Sequence, residues 1–250
     1  MLGAWVEGVI MATLDLGARP SGKTERRFYV WMALVLAAVI VAGFSTTVPG
    51  DFQAPGIPLL LHLHGAVFTL WVLLFVAQPA FIANGSARLH RQLGWVGVGL
   101  ASAMVVMGLT ATLIALRIGM VPPFFPHPAF LALNTINILT FGGLISGAIA
   151  LRRRAEWHKR LMLCATASIL GPALGRLLPM GAFGPAAPLI MFAAIDLFAL
   201  AGPAFDLITT RRIHPAYLWG VGVVVLSQAI IIGLAGAPAT LALARVIQGG

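Results

Sequence analysis

The residues best able to do chemistry in this chain are its six histidines, and three of them sit in short polar settings within apolar sequence. His64 belongs to LHLHGAVFTLWVLLFVAQ, Leu61 to Gln78; His90 lies in LHRQLGWVG and His158 in EWHKRLMLCA. Imidazole titrates near neutrality and ligates zinc, iron and haem iron, so these settings admit proton transfer or metal binding. Neighbouring His62 and His64 differ by about 200° around a helix, so only one of them can face the interior. His64, Trp71 and Gln78 recur at seven-residue intervals as one polar and aromatic stripe, whereas His62 shares its face with Ala66, Thr69 and Leu73. The stripe makes His64 the inward candidate.

Further along, His90, Gly94, Gly97, Ala101 and Gly108 share a face whose small residues admit a flat cofactor or a neighbouring helix. A third face carries His158, Met162, Ala165, Ile169, Pro172 and Arg176. His158 and Arg176 then stand ~27 Å apart, at opposite ends of one helix that Pro172 is expected to kink. Asp196 falls mid-helix and Asp206 near a helix end. A carboxyl at membrane depth costs several kcal/mol unless protonated, paired or hydrated, so Asp196 marks either a cavity or a hydrogen bond to a facing Ser, Thr or Asn, such as Asn134 or Asn137.

The elements that carry these residues are membrane helices. Hydrophobic residues make up 60% of the 250 and charged ones 9%, with a mean hydropathy of +0.97. Apolar runs long enough to cross a ~30 Å hydrocarbon core recur at Phe28–Phe44, Pro58–Ala83, Leu93–Leu116, Ala129–Leu151, Trp157–Leu177, Ala187–Leu207 and Tyr217–Leu234. The expected fold is an all-α integral membrane helical bundle of about seven transmembrane helices. Thirteen of the sixteen Lys and Arg residues fall on one side of those spans, leaving only Arg117, Arg176 and Arg245 on the other. Retention of cations inside places the N-terminus in the cytoplasm and the C-terminus outside. The expected divisions are a cytoplasmic segment 1–27 with an interfacial helix, a transmembrane domain 28–235 and a short outer segment 236–250. The first 18 residues carry Glu7 and Asp15 and lack a basic leader, so they do not read as a signal peptide. The single Cys164 excludes an intrachain disulfide and a CxxCH haem attachment. A net charge of +9 reads as a topology signal beside anionic lipid in a bacterial inner membrane, not as a nucleic-acid surface.

Haem iron takes two imidazoles from facing helices. An inner pair His90–His158 and an outer pair His64–His127 would alternate helices three and five with two and four, a plan that resembles cytochrome b561-type bundles. The segments HLHGAVFTLWVLLFVAQ, LHRQLGWVG and EWHKRLMLCA with a following GR also resemble an uncharacterised family of bacterial multi-pass membrane proteins, over roughly residues 60 to 176. That resemblance points to His64, His90, Arg91, His158, Arg160 and Arg176, and implies no activity. The leading expectation is a b-type haem protein in electron transfer, with quinone or another redox partner as candidate partner. Here His90 and His158 are ligands, His64 a ligand or quinone contact, and Arg91, Arg160 or Arg176 meets propionates or lipid phosphate. A second reading is a metal-dependent enzyme with zinc or iron held by His90, His158, Asp206 and His214. A transporter using Asp196, Arg176 and the Pro-broken helix, or a structural subunit of a larger membrane complex, completes the alternatives. A retinal pigment is excluded, since neither Lys23 nor Lys159 lies in the last helix.

Overall fold

A computed structural model describes residues 22–47, 50, 56–122 and 125–249. The proposed interfacial helix of residues 1–18 lies outside them. Among the described residues the chain is helical throughout: α1 Gly22–Ser45, α2 Leu59–Ala83, α3 Ala87–Arg117, α4 His127–Ala150, α5 Ala155–Ser168, α6 Gly171–Leu177, a 3-10 segment Met180–Ala186, α7 Ala187–Thr210, α8 Pro215–Ala235 and α9 Pro238–Gln248. Among the described residues six helical stretches are long and apolar enough to cross a bilayer: α1, α2, α3, α4, the 3-10 segment continued by α7, and α8. Side chains such as Val41, Leu73, Leu197 and Ile208 stay exposed on their outer surfaces. Lipid tails are the solvent such faces require.

The remaining crossing, the fifth in chain order, is divided. Where Pro172 was expected to kink a continuous helix, the chain breaks after Ser168 and restarts at Gly171, with Pro172 in the first turn of α6. Proline cannot donate to a carbonyl four residues back, and its ring clashes there, so a new helix start costs less than a bent continuation. The two pieces together still run the length of α1. Lys159 of α5 meets Glu25 in the first turn of α1, while Arg176 of α6 donates to Thr47 just beyond the end of α1. The result is a bundle of about seven crossings, as the apolar runs require.

Packing is centred on α4, which meets α3, α5, α8 and α9. Its apolar residues Phe141, Leu144 and Ile145 join a core with Leu36, Met104, Leu163 and Ile195 from four other helices. The C-terminal α9 seats Ala244 against Leu116 and Leu131, closing the end of the bundle where α3 stops and α4 starts. Small residues set the closest approach. A Cβ on Gly43 would lie 2.5 Å from the Ala173 carbonyl oxygen and 2.8 Å from Ala173 Cα, backbone that cannot rotate away. Gly43→Ala should therefore push α1 off α6 and cost about 1–3 kcal/mol in unfolding measurements. Gly65→Ala, with nothing within 4 Å of the new methyl, should instead be neutral or stabilising. Equal behaviour of the two would mean that α1 and α6 are not in backbone contact.

Candidate functional site

The polar stripe of α2 faces the bundle. Trp71, only 3% exposed, is the one fully buried residue of that helix and sits edge-on to Phe141 of α4, ring centres 5.1 Å apart. The His64 ring lies tilted against Phe68, centres 4.2 Å apart, and beside the Met107 carbonyl of α3. One ring nitrogen of His64 and the indole nitrogen of Trp71 are buried without hydrogen-bond partners. Gln78, two turns further in, reaches α3. Oriented so that both ends of its amide are satisfied, it donates to the His90 carbonyl at 3.2 Å and to His90 Nδ1, and accepts from the Gly94 N–H at 3.3 Å.

This contact leads to the second histidine. The rings of His90 and His158 are 6.1 Å apart, centre to centre, with their planes at 85°. His158 Nδ1 donates to the Ala148 carbonyl, 2.9 Å away, at the end of α4. That carbonyl can only accept, so Nε2 of neutral His158 is bare. With Gln78 donating to Nδ1 of His90, the proton of neutral His90 sits on Nε2. The pair thus holds one donor and one acceptor nitrogen at Nε2, each ring oriented through its Nδ1.

The other proposed pair does not assemble. His127 opens α4 as an exposed residue directly after Pro126, while His64 points into the α2–α3 contact. The small residues of α3 have split roles. Gly97 and Gly108 admit Leu74 of α2 and Ile138 of α4, which is helix packing, whereas Gly94 has open space beside the Gln78–His90 contact.

A second polar cluster lies at the same end of the bundle. Arg160, 3% exposed, donates from Nε and Nη2 to the two oxygens of Asp206 at 3.1 and 2.8 Å. It also binds Glu156 one turn earlier and comes within 3.5 Å of Glu25. Lys159 lies 2.6 Å from Glu25 and 2.7 Å from Glu156, the first a contact of charge more than of hydrogen-bond alignment. Tyr29 and Tyr217 share a hydroxyl hydrogen bond of 3.0 Å beneath this group, and the Arg160 guanidinium lies over the Tyr217 ring. Arg160 is therefore committed to carboxylates instead of meeting a propionate or a lipid phosphate.

Asp206 and His214 belong to this cluster too. Asp206 Oδ2 accepts from the His214 backbone N–H at 3.1 Å, and His214 Nδ1 caps α8 by accepting from the Ala216 N–H. The four ligands of the zinc or iron reading are thereby divided between two clusters. Among the described residues no three His, Cys, Asp or Glu side chains could share a metal ion. Arg176, exposed near the end of α1, donates to Thr47 and to the Pro172 carbonyl, far from the histidine pair. Arg91 is exposed beside His90. Asp196 accepts from Gln228 of α8 at 2.8 Å, not from an asparagine of α4. Asn134 is turned back onto its own Phe130 carbonyl, which removes it as a partner.

Burial, with Arg160 close by, lowers the pKa of His214 to about 4. Between that value and the ordinary 6.5 the unfolded chain binds more protons than the folded one. Its contribution to stability is complete above about pH 6.5 and is lost as pH falls towards 4. His214→Asn keeps a helix-capping oxygen but cannot titrate. The variant should lose about 1–2 kcal/mol less than the natural protein between pH 7 and 4.5, allowing for the partial exposure of the ring. Parallel pH curves for the two would exclude His214 as the titrating group.

The chain matches no family model, and no curated protein or solved structure matches it. The resemblances drawn from its motifs consequently rest on those motifs alone.

Proposed function

We propose that this chain is a b-type haem protein of a bacterial inner membrane, moving electrons through one haem held near the inner face by His90 and His158. The observation that carries the reading is the meeting of two imidazoles, 6.1 Å apart, with no third metal-ligating side chain beside them among the described residues. Zinc asks a protein for three or four ligands, whereas haem would bring most of its iron's ligands itself and would ask the chain for only one or two. The donor set thus fits haem and falls short for zinc.

When bound, haem supplies one-electron chemistry at a potential set by its axial ligands and their hydrogen bonds. The residues of the chain hold and orient. Ala148 fixes the His158 ring through Nδ1, and Gln78 does the same for His90. For Nε2 to serve as a ligand, the His90 proton would move to Nδ1, and the Gln78 amide would turn its oxygen to accept it. Arg91, exposed beside His90, is the residue we assign to a propionate. The candidate electron partner is a lipid-soluble quinone or a membrane redox protein. The test is an absorption spectrum of the purified protein, oxidised and dithionite-reduced, with metal analysis of the same sample. Sharp low-spin bands on reduction with one iron per chain are expected. A colourless protein holding stoichiometric zinc would replace this reading with the metalloenzyme.

A further inference from the structure

We propose that the inner end of the groove between α1 and α2 binds an anionic phospholipid, with Arg27 on the phosphate and an acyl chain lying along Val30, Leu34 and Ala80. The groove, about 260 Å³, is also lined by Trp31, Ala83 and Asn84. It arises from a mismatch of size: the alanines of α2 stand opposite the larger Val30, Trp31 and Leu34 of α1, leaving a trough open to the lipid. Arg27 and Asn84 lie exposed at its polar end. Trp31, 65% exposed one turn deeper, has the amphipathic ring favoured at the headgroup boundary.

Charge selects the occupant. Glu25, the acid nearest to Arg27 in sequence, is about 200° away around α1 and turned to Lys159 and Arg160. Arg26 donates to the Gly22 carbonyl. Among the described residues Arg27 has no carboxylate partner, so its charge faces the headgroup region beside apolar surface. Basic pockets between helices on the cytoplasmic side suit phosphate headgroups. The other groove of similar size, between α2 and α3, is lined by Leu70, Leu73, Leu74, Ala77, Val96 and Leu100 and has no cation with which to select a headgroup.

Native mass spectrometry of the full chain in mild detergent tests this, using dioleoyl phosphatidylglycerol against dioleoyl phosphatidylcholine. The natural protein should retain one phosphatidylglycerol in preference to phosphatidylcholine. Arg27→Gln should lower that preference about fivefold, the weight of one basic side chain at an anionic surface. Ala80→Phe should lower it with the charge intact, by filling the trough; Ala83→Leu serves if the first variant does not fold. Arg153→Gln, removing an exposed inner cation elsewhere, should leave the preference unchanged. Equal effects of Arg27→Gln and Arg153→Gln would overturn the proposal in favour of a diffuse basic face. So would competition by glycerol phosphate as strong as that of the lipid, or retention that appears only after residues 1–18 are deleted, which would make that segment the occupant.

Discussion

Asp206→Leu should be the most damaging single substitution in the bundle, lowering stability by about 3–5 kcal/mol. Asp206 is 1% exposed and accepts from both forks of Arg160 as well as from the His214 N–H. Leucine would leave a guanidinium buried against its hydrocarbon and strand a backbone donor at the start of α8. Glu156 and Glu25 soften the loss, but the Glu156 side chain is 41% exposed and its charge is partly screened by water. Removing the other partner, as in Arg160→Met, leaves Asp206 buried without its cation, and Glu25 and Glu156 with Lys159 alone, at comparable cost. The double variant Arg160→Met with Asp206→Leu removes both charges together, so its cost should fall well below the sum of the two. A double-mutant cycle on unfolding in one detergent reads this directly. Additive losses would mean that the pair is solvated and that the inner ends of α5 and α7 are held by packing alone.

The seven crossings were legible because lipid allows no other economy: each span needs about twenty apolar residues, and cations pile up on one side. The inward face of α2 was legible for a related reason, since Gln78 has polar atoms that lipid cannot satisfy and Trp71 lies on the same stripe. What periodicity does not encode is the partner across the bundle. Asp196 could be recognised as a residue needing a hydrogen bond, but Gln228, thirty-two positions later, is found only once α7 and α8 are packed. The ionic cluster was hidden by its own composition. Lys159 and Arg160 count as topology signals, and Glu25 and Glu156 look like ordinary helix-start acids. One signal was present: the chain has two tyrosines, Tyr29 and Tyr217, and they bond to each other beneath that cluster. The break in the fifth crossing was half visible, because proline predicts a lost hydrogen bond but not whether packing will bend the helix or restart it.

If His90 and His158 hold haem as proposed, His90→Ala and His158→Ala should each abolish a low-spin spectrum, the largest functional effect expected of any substitution. Either change would leave a bound haem with one protein imidazole in place of two, and the low-spin signature would be lost. His214→Ala should leave the spectrum intact, because that ring is occupied in capping α8 and lies in the other cluster. Gln78→Leu should fall between these limits. It keeps both ligands but removes the amide that orients His90, and loss of such an outer partner costs about 10–100-fold in affinity. The His158 ring also ties α5 to the end of α4 through the Ala148 carbonyl, so His158→Ala carries a structural loss of about 1 kcal/mol. Unfolding of haem-free protein measures that loss separately. Loss of colour in a variant as stable as the parent assigns the ligand, whereas colour retained in His90→Ala or His158→Ala removes the inner pair as the haem site. A natural protein lacking both iron and zinc would remove the redox and metal readings together, leaving the transporter and structural alternatives.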